Sequence, residues 1–329
     1  MSISSSISID DLVDRVSVMQ NQEKTSYKCL NYRPEQDDPN NRLNVTWREK
    51  ICHWSYNVVD HFDLSREMVA ISMNLFDRFM ATRSNNCTGN MALLTSLTTL
   101  HMAIKLHDSK KIKISTLANL SRGQFGPKHI EEMEIIILNA LGWAVHPPTA
   151  YSFISHLLFL LPQEAPTNVK KDLYERSRYL TELTVCNSFF VEYNPSTIAF
   201  ASILNVMEDM SFSRLSAGVR EKFLRNLSEK VNFNYRDPAV TEARERIRAM
   251  TSLSMGPAPT RSSKVEHLVP VSSPVSVKST GSSGSWANLY GGHVRKKSFD
   301  SIGSHHHCVV SPMASSRNRS SSMDFVVVQ

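Results

Sequence analysis

The sequence is short of the features that most often announce chemistry. Its five cysteines, Cys29, Cys52, Cys87, Cys186 and Cys308, are scattered through 329 residues with no C-x-x-C pair. That excludes a disulfide framework and a cysteine zinc site, and an odd count reads as free thiols in a reducing compartment. No run reaches the roughly 18 apolar residues needed to cross a bilayer; the nearest, FISHLLFLLP, is too short and contains His156. No membrane partner is expected. The opening MSISSSISIDDLVDR lacks a basic segment followed by an apolar one, so no secretory signal is expected. The expected location is nucleus and/or cytoplasm.

Catalytic signatures are missing as well. There is no Gly-rich phosphate loop, no G-x-S-x-G and no H-E-x-x-H. His101 and His107 flank one apolar stretch, but six helical residues put them roughly 240° apart, on different faces. A triple histidine at 305–307 falls in a polar tail. No catalytic residue, metal or cofactor is assigned, and the chain is expected to be a binding module, not an enzyme.

Charge of one sign is also scarce where a fold can form. The net charge is +6, but residues 251–329 hold eight Lys/Arg against three Asp/Glu, which is five of the six. The remainder is nearly neutral, so no direct nucleic-acid partner is expected.

What is present is helical periodicity. Apolar residues recur at period 3.6 over 47–62, 65–83, 89–107, 114–121 and 127–143. Ser65 is an N-cap candidate and Gly126-Pro127 punctuates before KHIEEMEIIILNALGW. After HPPT a second series follows over 149–161, 166–187, 195–209 and 217–231. The expected organisation is an N-terminal extension over 1–42, partly disordered and holding one short helix in IDDLVDRVSVM. Helical lobes over 43–145 and 146–250 and a disordered Ser-rich basic tail over 251–329 complete it. The fold class is all-α.

Four charges interrupt the apolar surroundings of the first lobe: Arg48 in WREKICHW, Asp77 in FDRFM, Lys105 in MAIKLHD and Glu134 in EEMEIIIL. Each alone reads as a side chain snorkelling from a helix edge. Together they balance, two positive and two negative, as mutual pairing of partly buried charges requires.

These residues carry a family resemblance. The pattern R-x-x-I/L-x-x-W, N-x-x-D-R-F, A-x-K, M-E-x-x-I-L and a closing LGW resembles the cyclin box. It falls here on Arg48, Ile51 and Trp54, on Asn74, Asp77, Arg78 and Phe79, on Ala103 and Lys105, and on Met133 and Glu134. LTVCNSFFVEYNPSTIAFASILNVM is similar to the C-terminal cyclin fold. The resemblance covers about residues 30–245 and implies two consecutive five-helix cyclin-like lobes. It further implies a regulatory subunit that binds and activates a cyclin-dependent Ser/Thr kinase in cell-cycle control. Lys105 and Glu134 would bond the main chain beside the kinase's C-helix. Arg48 and Asp77 would pair inside the cyclin and brace its first helix, with Arg78 on the solvated edge. Ile104, Leu106, Ile135 and Leu138 are expected to be mostly core, with some of them lining the docking face.

Lys50 and Asn57 depart from the family pattern that lines an R-x-L groove. Trp47, Ile51 and Trp54 remain as a possible patch for docking kinase substrates. Neither an L-x-C-x-E motif nor an N-terminal destruction box is present, so no A-, B- or D-type label is assigned. Ser273 and Ser311 precede prolines and Ser298 follows RKK, making all three candidate phosphosites. The competing readings are a cyclin-fold transcription adaptor and a helical scaffold without a kinase.

Overall fold

In the computed structural model, which describes residues 8–30, 45–83 and 88–254, the periodic segments become eleven α-helices and one 3-10 helix. No strand occurs among the described residues. The tail with Ser273, Ser298, Ser311 and the triple histidine lies outside them, as does the RPEQDDPNNR segment.

Five helices follow one another in the first lobe: α2 (Val45–His61), α3 (Glu67–Ala81), α4 (Gly89–His107), α5 (Ile114–Asn119) and α6 (Pro127–Ala140). The centre is α4, which packs against the other four and buries every residue from Met91 to Ile104. A helix buried all round must satisfy its polar side chains internally. Here Ser96 and Thr98 donate back to the carbonyls of Leu93 and Leu94, both at 2.8 Å, and Thr99 meets Ser72 of α3 at 3.1 Å. At its start α4 comes close to α2: a Cβ on Gly89 would stand 3.3 Å from the Trp47 ring, a tight contact. Thr88 caps this end, accepting from the Met91 N–H.

The second lobe repeats the plan with α7 (Ala150–Phe159), α8 (Thr167–Cys186), the 3-10 turn Ser188–Glu192, α9 (Pro195–Asp209), α10 (Ala217–Val231) and α11 (Pro238–Ser254). Its centre is α9, with Pro195 at the first turn and an unbroken buried run from Ile198 to Met207. Periodicity did not single out α11, whose inward residues Val240, Ala243 and Ile247 are mostly small.

One element sits where its sequence position does not suggest. Helix α1 (Ile9–Lys24) packs on α7 and α10 of the second lobe and inserts Leu12 and Val16 into that lobe's core. Near its end, the buried Glu23 accepts from the Ser196 N–H at 2.9 Å and the Ser196 hydroxyl at 2.5 Å. Burial raises the Glu23 pKa, and the two Ser196 hydrogen bonds pull the other way. From there the chain crosses to the first lobe, where Asn74 donates to the Tyr27 carbonyl at 3.4 Å.

Candidate functional site

Two charge pairs organise the first lobe, and they differ in exposure. Arg48 on α2 grips Asp77 on α3 with two parallel contacts of 2.8 Å, Nε to Oδ1 and Nη2 to Oδ2. Their side chains are only 9% and 4% exposed. A pair this buried is viable only when its remaining hydrogen-bonding capacity is used. Arg48 uses it on the second lobe: Nη1 donates to the Val185 carbonyl at 2.8 Å and approaches that of Cys186 at 3.4 Å. Those carbonyls end α8, so the guanidinium also meets the negative end of its dipole. The pair therefore braces α2 against both α3 and α8.

The second pair stands at the surface. Lys105, in the last turn of α4, contacts Glu134 of α6 through Nζ and Oε1; the lysine side chain is 44% exposed and the glutamate 16%. Below them His101 is buried, its Nδ1 3.7 Å from Glu134 Oε2. Burial, assisted by Lys105, lowers the His101 pKa, so the ring is neutral near pH 7. Lys111 folds back over the end of α4, donating to the Lys105 carbonyl at 2.9 Å. Leu106 and Ile135 flank the pair and are exposed. The result is a half-dry edge with one ammonium and one carboxylate between aliphatic side chains.

Several expectations need correction. Arg78 is not on a solvated edge. It is buried, donating to the Ala144 carbonyl at 2.8 Å with its guanidinium 4.9 Å from the Tyr27 ring centre. The reason is the segment after α1, which covers α3 here; burial lowers the Arg78 pKa. His101, at one end of the apolar stretch, is also buried. Of the four aliphatic neighbours, Leu106 and Ile135 are the surface members, whereas Ile104 is buried and Leu138 partly so. The patch of Trp47, Ile51 and Trp54 loses its middle member, because Ile51 is 2% exposed and belongs to the core. Trp47 and Trp54 are half-buried.

No group of three or more metal-ligating side chains occurs among the described residues. A cavity of about 100 Å³ opens beside Tyr27, Cys29, Asp77, Pro148 and Phe190. It is smaller than the roughly 300–1,000 Å³ typical of small-molecule sites. No described helix is long and apolar enough to cross a membrane. The geometry thus offers surfaces, in particular the Lys105–Glu134 edge.

Comparison with known proteins identifies the family. Residues 14–146 match the family described as Cyclin, N-terminal domain, and residues 148–231 match Cyclin, C-terminal domain. The chain belongs to the cyclin family. Among curated cyclins, Cyclin-D3-3 of Arabidopsis thaliana is 28% identical over 200 residues, which is 58% of this chain and 54% of that protein. The G2/mitotic-specific cyclin-1 of Medicago sativa subsp. varia is 28% identical over 190 residues, 58% of this chain and 42% of that one. This cyclin thus spans about half the length of the curated relatives it matches, and they include both D-type and mitotic names. Among solved structures, a viral cyclin from herpesvirus saimiri superposes with a TM-score of 0.53 at 18% identity, covering 74% of this chain and 96% of that one. At that identity the likeness speaks for the fold.

Contacts that sequence reasoning missed lie mostly between the lobes. Glu182 of α8 accepts from Arg66 Nε at 2.7 Å and from the Tyr151 hydroxyl, while its carbonyl receives the Tyr56 hydroxyl at 3.2 Å. Cys52 of α2 and Cys186 of α8 meet at 3.0 Å between sulfurs. No spacing rule links residues so far apart in the chain.

Proposed function

We propose that this cyclin is a non-catalytic regulatory subunit that binds and activates a cyclin-dependent Ser/Thr kinase in cell-cycle control. The observation that carries this reading is the Lys105–Glu134 pair, which joins α4 to α6 next to the exposed Leu106 and Ile135. A kinase is active only when its β3 lysine is paired with the glutamate of its C-helix. A surface that binds the C-helix only in its inward position shifts that equilibrium by its differential affinity for the two states. An ammonium can donate to exposed main-chain carbonyls and a carboxylate can accept main-chain N–H groups, which fixes register without reading the partner's side chains. The lysine end of the pair is the exposed one and contributes little to folding, so redirecting its ammonium to a partner costs little. The flanking aliphatic side chains supply the area such contacts need. The Arg48–Asp77 pair has a different role in this reading: it holds the frame.

The test mixes the full chain with a panel of purified cyclin-dependent kinase subunits, then measures complex formation and Ser/Thr phosphorylation of a protein substrate. Binding and activation by the wild type, with loss of both in Lys105→Ala/Glu134→Ala, supports the reading. No kinase bound, or an undiminished double variant, returns the question to a transcription adaptor or a scaffold without a kinase.

A further inference from the structure

We infer that Cys52 and Cys186 form a peroxide-sensitive disulfide site that links the two lobes. The two residues are 134 apart in the chain, on α2 of the first lobe and at the last residue of α8 in the second, yet their sulfurs are 3.0 Å apart. A disulfide needs about 2.05 Å between sulfurs, so closure requires only a shift of about 1 Å, within reach of side-chain rotation. The surroundings favour Cys186 as the attacking thiol and Cys52 as the resolving one. Cys186 is half-buried and reachable, whereas Cys52 has no exposed surface. The Cys186 thiol is held below its ordinary pKa, first by its hydrogen-bond contact with Cys52 and, against some desolvation, by the Arg48 guanidinium. Burial raises the Cys52 thiol well above it, so Cys52 stays protonated beside the Cys186 sulfur. His53 Nδ1 lies 3.9 Å from the Cys186 sulfur, on the exposed side. A partly exposed thiol with a lowered pKa beside a resolving cysteine 3.0 Å away is the arrangement that redox-sensing sites use.

The chemistry closes with hydrogen peroxide as the oxidant. Cys186 loses its proton to solvent and its thiolate attacks one peroxide oxygen; the O–O bond breaks, giving a sulfenic acid, and the leaving hydroxide takes up a proton from solvent to become water. The Cys52 sulfur then attacks the Cys186 sulfur, the S–S bond forms, and the sulfenic oxygen departs with the Cys52 proton as water. Two thiols lose two electrons, and one peroxide becomes two waters. The product ties α2 to the end of α8 beside the Arg48–Asp77 brace. It therefore constrains the unfolded chain with a long loop and fixes the lobes to each other. The site is independent of whether the chain activates a kinase.

The test exposes the reduced full chain to hydrogen peroxide, blocks remaining thiols with N-ethylmaleimide, and maps unreduced peptides by mass spectrometry. The expected result is a Cys52–Cys186 linked peptide that dithiothreitol removes, with Tm raised by about 5 °C or more. Cys186→Ser, at the partly exposed position, is expected to fold and to show neither the link nor the shift. Cys52→Ala serves as the second control, leaving Cys186 oxidised but unlinked. The inference is overturned if Cys186 becomes sulfinic acid while Cys52 is still alkylated. It is equally overturned if the links formed involve Cys29, Cys87 or Cys308, or if Cys186→Ser shows the same rise in Tm.

Discussion

Arg48 holds Asp77 through two contacts of 2.8 Å, and the same guanidinium reaches across to Val185 in the other lobe. One buried cation thus fixes three helices. Its consequence is asymmetric: removing either partner leaves a desolvated charge, whereas removing both leaves a smaller defect.

Asp77→Ala is therefore expected to destabilise the chain by about 3–5 kcal/mol. Arg48→Met/Asp77→Leu, which removes both charges and keeps apolar volume, is expected to cost clearly less. Urea unfolding of the three proteins checks this. An Asp77→Ala protein of unchanged stability would remove the bracing role.

Arg78→Ala is expected to cost about 1–3 kcal/mol, because the charge-assisted bond to the Ala144 carbonyl and the stacking on Tyr27 are lost together. The segment from Tyr27 to Leu30 loses a contact with α3. Limited trypsin digestion is then expected to cut faster after Lys28 than in the wild type.

Leu12→Ala is expected to destabilise the second lobe by about 2–5 kcal/mol, since Leu12 is 2% exposed within that lobe's core. Denaturant unfolding followed by hydrogen exchange should localise the loss to α7 and α10. A loss confined to α1 would show that α1 is only a peripheral attachment.

These contrasts show what was legible beforehand. Asp77 and Arg48 stood out as charged residues set in apolar helical surroundings, and the resemblance to the cyclin box implied that they pair with each other. The neighbouring Arg78 could not. Its partners are a backbone carbonyl 66 residues away and an aromatic ring in a segment without helical period. Helices α4 and α9 announced themselves through large apolar residues, while α11 presents mostly small inward side chains and a strongly charged outer face. Ile51, Leu106 and Ile135 illustrate a further limit. All three are aliphatic residues on amphipathic helices, and only the positions of the neighbouring helices decide that the first is core and the others surface. The attachment of α1 to the second lobe depends on a chain crossing that no local pattern encodes.

Acidification should weaken the fold through two histidines. Burial lowers the pKa of both His101 and His107 from the ordinary 6.5. Between the folded and unfolded values the unfolded chain binds more protons. The stability they contribute is thus fully present above about pH 6.5 and is lost as pH falls through the folded values. Tm is expected to drop between pH 7.5 and 5, and His101→Gln should flatten that slope. A slope unchanged by His101→Gln would place the sensitivity elsewhere.

The central claim is that Lys105 and Glu134 serve a kinase partner more than they serve the fold. The most direct measurement is the Kd for an identified kinase subunit, taken alongside Tm, for wild type and Lys105→Ala/Glu134→Ala. The expected result is a loss of about 100-fold or more in affinity, with stability changed by no more than about 1 kcal/mol. Equal affinity in the double variant, or a loss of binding that tracks a comparable loss of stability, would contradict it.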